Sequence, residues 1–211
     1  LAEKALMLRY NLLKDVVSDV SPIHWQHGAI ARLKKGEKIA PFLTGGYATI
    51  SLGYIGIYEA CRLITGESNT GEHGRVFAMK IMDRLNQAIY EWRDKHNIGF
   101  ALYGTPAESL TNRFSSLDRA RFGMIEDVTD KGYYTNSYHV NVREEINVFD
   151  KFAFESEFQK KSTGGCISYA EIPNMSNNIP AVLTMIQYIY DNISYAEFNT
   201  KSDYCHECGF D

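Results

Sequence analysis

The sequence predicts an α/β fold in which parallel strands, in a sheet or a barrel, are connected by helices. An amphipathic helical pattern at 75–96 separates two short apolar runs, 47–52 and 98–103, that read as strands. The same order of strand, helix and strand recurs later at 166–170, 179–192 and 193–198. A helical crossover returns the chain to the end of the sheet where the first strand began, so this order favours parallel pairing.

Composition agrees with a globular α/β protein. Of the 211 residues, 45% are hydrophobic and 23% are charged, which is ordinary for a folded domain. The formal net charge of −4 gives no footprint for nucleic acid. No apolar run approaches the length of a membrane span, so neither nucleic acid nor a membrane is an expected partner. The chain opens at Leu1 inside a helical pattern and without an initiator Met, which suggests a fragment.

Helical periodicity and glycine signals predict the remaining elements. Residues 2–20 carry apolar side chains at helical spacing, from Leu6 to Val17. A helix over 53–65 should end at Gly66, because glycine is the usual C-terminal cap. We further predict a short helix at 29–33, an extended aromatic segment at 132–140 and a helix at 149–161.

The segment after strand 98–103 carries three helix-start signals. Thr105 is a good N-cap, Pro106 suits the first helical position, and Glu108 completes a capping box with Thr105. A helix that opens directly after a strand and a glycine aims free N–H groups and its positive dipole end at one point. The hydroxyl of Ser109 could add a donor. The segment therefore reads either as an anion site or as an ordinary capped helix.

The four cysteines divide into two kinds. Cys61 lies in a helical pattern and Cys166 at the start of an apolar run, so both read as packing residues. Cys205 and Cys208 form a C-x-x-C followed by glycine, which suits two thiolate ligands of one Zn²⁺. Two more ligands would then follow residue 211. The alternative is a redox dithiol, but no helix follows the motif as such pairs usually require.

Five segments spread over nearly the whole chain carry a family resemblance; they lie at 50–56, 99–110, 130–137, 171–178 and 204–210. One of them reads Gly-Phe-Ala-Leu-Tyr-Gly-Thr-Pro-Ala-Glu-Ser-Leu. Together and in this order they resemble the C-terminal part of the class III, anaerobic ribonucleoside-triphosphate reductases, which are glycyl radical enzymes.

The resemblance implies a ten-stranded α/β barrel of two parallel five-stranded halves. Residues 1–199 would supply much of the second half, and 200–211 would begin a zinc-binding segment. It implies reduction of ribonucleoside triphosphates with formate as reductant, a glycyl radical made by a radical-SAM activase, a homodimer and a cytoplasmic location. The substrate phosphates would lie on Thr105, Pro106, Ala107, Glu108 and Ser109. Cys205 and Cys208 match the first C-x-x-C of the family's four-cysteine zinc site.

The family's second C-x-x-C and its glycyl radical motif do not occur in the 211 residues. Neither Cys61 nor Cys166 stands in the family's thiyl context, so no catalytic residue is assigned and the chain alone is expected to be inactive. The alternative function is a non-catalytic, zinc-bearing structural or interaction module, in which the capped helix binds no phosphate. The coding sequence after Asp211 would discriminate between the two.

Overall fold

A computed structural model describes residues 1–104 and 106–200. The chain forms two compact units. The first consists of Leu1–Gly53 and Asp83–Tyr103, and the second of Tyr54–Met82 and the chain from Gly104 onward. Each unit contains one pair of parallel strands. The mixed α/β class and the parallel pairing predicted from the sequence are thus confirmed.

The strand pair of the first unit consists of β1 (Thr49–Gly53) and β2 (Gly99–Tyr103). The two strands pair in parallel over their whole length, from Thr49 opposite Gly99 to Gly53 opposite Tyr103. Gly99 is required here, because a Cβ at this position would stand 2.5 Å from the carbonyl oxygen of Ala48.

Helix α4 (Glu72–His96) covers the second strand of this pair with its C-terminal half. Phe100 and Leu102 on β2 are fully buried, as is Ile89 on the helix. The ring of Trp92 meets that of Phe100 edge-on at a centroid distance of 5.8 Å. Burial of this apolar face holds the helix against β2.

The N-terminal region departs from the sequence prediction. Helix α1 (Ala2–Leu13) ends well before residue 20, and it buries none of its residues. Val17 is extended and bridges Lys38, while the carbonyl of Val16 accepts the N–H of Ile39. These bonds to the 38–39 segment replace the helical ones.

The predicted short helix at 29–33 is also wrong. The helix in this region is α2 (Pro22–Trp25), with proline at its start. Ile30 and Ala31 instead donate their N–H groups back to the carbonyl of His24. Short 3₁₀ turns at Ser18–Val20 and Ala40–Phe42 complete the region.

The strands of the second unit are β3 (Ser168–Ile172) and β4 (Ala196–Thr200), joined by α7 (Ile179–Asn192). They pair in parallel, with Ser168 opposite Ala196. Helix α7 has the predicted bounds, because the side chain of Asn178 caps it by accepting the N–H of Ala181. Both strands begin two or three residues later than predicted.

Helix α6 (Val148–Gln159) closes the core of this strand pair. Phe152 of α6, Ala170 of β3 and Ile193 form the buried cluster. Asn147 caps α6 by accepting the N–H groups of Phe149 and Asp150, each at 3.0 Å.

Two more helices complete the second unit, α3 (Ile57–Thr65) and α5 (Ser109–Phe122). Gly66 ends α3 in the left-handed conformation, as predicted. Cys61 on this helix is fully buried and donates to the carbonyl of Gly74 at 3.3 Å, which confirms its packing role. Within the described ranges, none of the helices combines the length and the apolar character that a membrane span requires.

Candidate substrate-binding turn

Helix α5 begins at Ser109, so the predicted start at Pro106 is wrong. Glu108 occupies the N-cap position, not the N3 position that a capping box requires, and its side chain makes no capping hydrogen bond to α5. Its backbone angles, φ 41° and ψ −116°, are those of the first central residue of a type II′ turn. The N–H of Leu110 closes that turn on the carbonyl of Ala107 at 2.9 Å. Thr105, the predicted cap, lies outside the described residues.

The backbone donors of this turn are not equivalent. The N–H of Ala107 is bonded to Oδ1 of Asn136 at 2.8 Å, so the prediction that it is free to bind an anion is wrong. The N–H groups of Glu108 and Ser109 have no acceptor among the described residues. Both residues are exposed to solvent. Two backbone donors therefore remain available at the positive end of the α5 dipole.

The charges on α5 favour an anion at this end. The first turn of the helix contains no acidic residue. Arg113 lies one turn after Ser109 on the same face, and helical side chains lean toward the N-terminus. The Arg113 side chain is exposed, and within the ranges that the structure describes no carboxylate pairs with it. The negative charge of the Glu108 side chain opposes an anion here.

Asn136 belongs to a loop that a buried ion pair holds in place. Oε1 of Glu59 accepts three hydrogen bonds: from Lys131 Nζ at 2.7 Å, and from the N–H and the hydroxyl of Thr135 at 2.8 Å each. Lys131 is fully buried, and its ammonium lies 4.3 Å from the centre of the Tyr58 ring. The carboxylate thus fixes the residue directly before Asn136.

The same loop is bonded to α5 along its length. Tyr134 donates its N–H to the carbonyl of Thr111 at 3.2 Å and its hydroxyl to Asp118 at 2.8 Å. Nδ2 of Asn112 donates to the carbonyl of Gly132 at 2.7 Å. Burial, followed by the bond to Asp118, raises the pKa of the Tyr134 hydroxyl. The hydroxyl therefore stays protonated as a donor.

The loop is not the extended segment predicted at 132–140. Asn136 makes an isolated antiparallel bridge with Ile55, and Thr135 accepts the N–H of Gly56 at 2.8 Å. These bonds also delay the start of α3, which was predicted at Gly53. Ser137 has a positive φ of 38°, so the chain turns directly after Asn136.

Gly104 allows a close approach just before the turn. A Cβ at this position would stand 2.8 Å from Cε1 of Tyr138 and 3.0 Å from the hydroxyl of Tyr54. Tyr138 is fully buried, and its hydroxyl donates to the carbonyl of Ile167 at 2.8 Å. Any side chain at Gly104 would therefore displace a rigid ring.

Cys166 lies beside this ring and pairs with Gly104 in a parallel bridge. It is half-buried and precedes β3, so the strand predicted to begin at Cys166 begins at Ser168. Burial raises the pKa of the Cys166 thiol, and a hydrogen bond from Tyr138 lowers it in part. A thiol with a raised pKa packs rather than reacts, which agrees with the packing role predicted for it.

A second buried carboxylate, Glu155, anchors the other end of the loop. Its Oε1 accepts from His139 Nδ1 at 3.2 Å, from the N–H of Val140 at 3.2 Å and from Lys151 Nζ at 2.7 Å. Burial alone raises the pKa of the Glu155 carboxyl, but the bonds and charges of His139 and Lys151 outweigh it and lower the pKa to about 2. The group is therefore ionised and acts as a structural acceptor.

The predicted zinc ligands Cys205 and Cys208 lie outside the described residues. Among those described, no three His, Cys, Asp or Glu side chains come together as a metal site. The half of a zinc site that the sequence indicates at Cys205 and Cys208 therefore stays a prediction.

Asn136 and the Glu59–Lys131 pair were missed by the sequence prediction. The Asn136-Ser137 dipeptide after two tyrosines is a turn signal that could have separated 132–140 from a strand. No comparable signal marks Glu59, whose burial depends on a lysine distant in sequence.

The fold is that of the anaerobic ribonucleotide reductases. A crystal structure of the enzyme from Thermotoga maritima with dATP in its specificity site superposes with a TM-score of 0.72. The match covers 99% of this chain and 33% of that one at 22% identity. A second structure, in complex with dATP and CTP, gives a TM-score of 0.69.

Sequence comparison gives the family. The chain is 42% identical to the anaerobic ribonucleoside-triphosphate reductase of Salmonella typhimurium and 41% identical to that of Escherichia coli. Each match covers 100% of this chain and 30% of the relative, so the chain spans about a third of the length of these relatives. The family model for anaerobic ribonucleoside-triphosphate reductase matches residues 1–211. The chain therefore belongs to the anaerobic ribonucleoside-triphosphate reductase family.

Proposed function

We propose that this chain serves in an anaerobic reductase of ribonucleoside triphosphates and that the turn before α5 binds the substrate's triphosphate. The observation that carries the proposal is a pair of N–H groups at the start of a helix: those of the exposed residues Glu108 and Ser109, which have no acceptor among the described residues. Arg113 adds a positive charge on the same face. Family membership supplies a substrate with a triphosphate to fill such a site.

The proposed site uses only some of the residues that the sequence predicted as phosphate contacts. Ser109 and Glu108 contribute backbone donors, whereas Pro106 has no N–H and Ala107 has given its N–H to Asn136. Pro106 and Ala107 therefore shape the turn. Thr105 stays a predicted contact.

The remaining expectations of the family are part of the same proposal. In the assembled enzyme the two parallel strand pairs would belong to the second half of a ten-stranded barrel. A glycyl radical made by a radical-SAM activase would supply the radical for ribose reduction, with formate as reductant. The enzyme would be a cytoplasmic homodimer, with Cys205 and Cys208 as two of four zinc ligands. The residues of this chain would bind and orient the nucleotide.

Two substitutions at one position test the phosphate role. Ser109→Pro removes the N–H, which no helical bond uses, and proline suits the first position of a helix. Ser109→Ala keeps the N–H and removes the hydroxyl. In the full-length gene product, activated anaerobically, Ser109→Pro should raise the KM for ribonucleoside triphosphates about 10- to 100-fold, the value of one hydrogen bond to a charged group.

Ser109→Ala is the matched control and should raise KM much less than Ser109→Pro, because it keeps the backbone donor that the proposal assigns to the phosphates. Circular dichroism and the melting temperature show whether both variants fold. If both folded variants keep the KM of the unsubstituted enzyme, the turn is a helix start and binds no phosphate.

A further inference from the structure

The backbone of Glu108 adopts a conformation that its side chain disfavours. With φ 41° and ψ −116° it lies in a region that glycine populates and other residues avoid. Such a conformation persists only where the surrounding structure holds it. The contacts around Glu108 therefore show what holds the turn.

Bonds on both sides of Glu108 fix the turn. After it, Thr111 donates its N–H at 3.1 Å and its hydroxyl at 2.6 Å to the Glu108 carbonyl. Before it, the N–H of Ala107 donates to Oδ1 of Asn136 at 2.8 Å. The helix supplies the first set of bonds, whereas the second depends on a residue that is distant in sequence.

Asn136 is itself held rigidly. It bridges Ile55, and its neighbour Thr135 is bonded through both N–H and hydroxyl to the buried carboxylate of Glu59. Ala107, in contrast, is only half-buried, so water could accept its N–H if Asn136 were absent. What Asn136 provides is therefore a fixed direction for this peptide, because the hydrogen bond itself is replaceable.

We propose that Asn136 is a positioning residue for the substrate triphosphate. Its Oδ1 fixes the Ala107 peptide, which keeps Glu108 in its strained conformation and holds the N–H groups of Glu108 and Ser109 in the direction the phosphates require. This inference rests on the proposed function of the turn. It predicts that Asn136 affects nucleotide binding without touching the nucleotide.

The test is Asn136→Ala in the full-length, anaerobically activated gene product. The KM for ribonucleoside triphosphates should rise about fivefold while kcat stays unchanged, because misdirected N–H groups should weaken phosphate binding by about the value of one ordinary hydrogen bond. Adding Glu108→Gly should bring the KM to that of Glu108→Gly alone, because glycine adopts the turn conformation without strain. Comparing the two glycine variants cancels the effect of removing the Glu108 charge. Should Asn136→Ala fail to fold, Asn136→Ser, whose side chain is too short to reach Ala107, takes its place with the same expectation.

Asn147→Ala is the matched control. Asn147 also accepts backbone N–H groups at a helix start, but at α6, so its loss should lower the melting temperature and leave KM unchanged. An unchanged KM for Asn136→Ala alongside a raised KM for Ser109→Pro would refute the positioning role and leave the phosphate site standing. A double variant whose KM stays above that of Glu108→Gly alone would also refute it. If neither Asn136→Ala nor Ser109→Pro changes KM, the phosphate site itself is wrong.

Discussion

The buried pair of Lys131 and Glu59 gives the sharpest test of how this fold is held. Replacing Lys131 by Met leaves the Glu59 carboxylate buried with two bonds from Thr135, and its Oε2 has no hydrogen-bond partner among the described residues. Removing one partner of a buried ion pair costs about 3–5 kcal/mol, because the other charge stays desolvated. Lys131→Met should therefore lower the free energy of unfolding by about that amount, a large share of the 5–15 kcal/mol typical of a domain.

A double-mutant cycle separates the pair from its surroundings. Lys131→Met combined with Glu59→Gln removes both charges and keeps an acceptor for Thr135. The double variant should be more stable than Lys131→Met alone, with a coupling energy of about 2 kcal/mol or more. Urea unfolding of the 211-residue chain, followed by circular dichroism, measures each free energy of unfolding.

An exposed pair with the same geometry is the control. Nζ of Lys38 lies 2.7 Å from Asp15, which is also the distance between Lys131 and Glu59. The Lys38 side chain is 60% exposed, however, whereas the Lys131 side chain is 0% exposed. Lys38→Met should leave the free energy of unfolding nearly unchanged. If Lys131→Met is no more destabilising than Lys38→Met, burial does not determine the strength of this contact and the reasoning fails.

Three further predictions concern titration, reactivity and metal. Burial raises the pKa of the Glu155 carboxyl, but the hydrogen bond and charge of His139 bring it below its ordinary value. The ionised carboxylate therefore stabilises the fold fully above pH 4.5 and progressively less as the pH falls toward 2. The stability difference between the unsubstituted chain and Glu155→Gln should accordingly shrink over that range in urea unfolding, and a constant difference would contradict the pKa shift. Burial raises the pKa of the Cys61 thiol to about 11. Alkylation at pH 8 should therefore label this thiol only after unfolding, and labelling of the folded chain would refute its burial. Cys205 and Cys208 supply two thiolates, so the 211-residue chain should bind zinc weakly, and tight stoichiometric zinc in metal analysis would require two further ligands within it.

The elements that the sequence predicted well are those with local causes. The bounds of α7 were correct because Asn178 caps the helix and Pro180 suits its first turn. The end of α3 was correct because Gly66 adopts the left-handed conformation. In both cases the determining residues lie within a few positions of the boundary.

The start of α5 was predicted wrongly because distant residues decide it. The local signals favour a helix from Pro106, but Asn136 takes the N–H of Ala107 and the chain makes a type II′ turn first. The segment at 132–140 was also wrongly predicted as extended, because distant residues determine its conformation. Its backbone bonds go to Glu59, Gly56 and α5 instead of to a neighbouring strand. The sequence alone does not show which distant residues meet.

The sequence predicted the order of strand, glycine and helix around the candidate site, but not its individual bonds. The hypothesis of an anion site before α5 rests on that order. The N–H of Ala107 is bonded instead to Asn136, which no local pattern identifies as its partner.

The most direct test of the central claim is a structure of the full-length gene product with a bound ribonucleoside triphosphate. The account predicts phosphate oxygens within hydrogen-bonding distance of the backbone nitrogens of Glu108 and Ser109, with the Ala107 N–H still bonded to Asn136. A triphosphate bound elsewhere, with the start of α5 empty, would contradict the account.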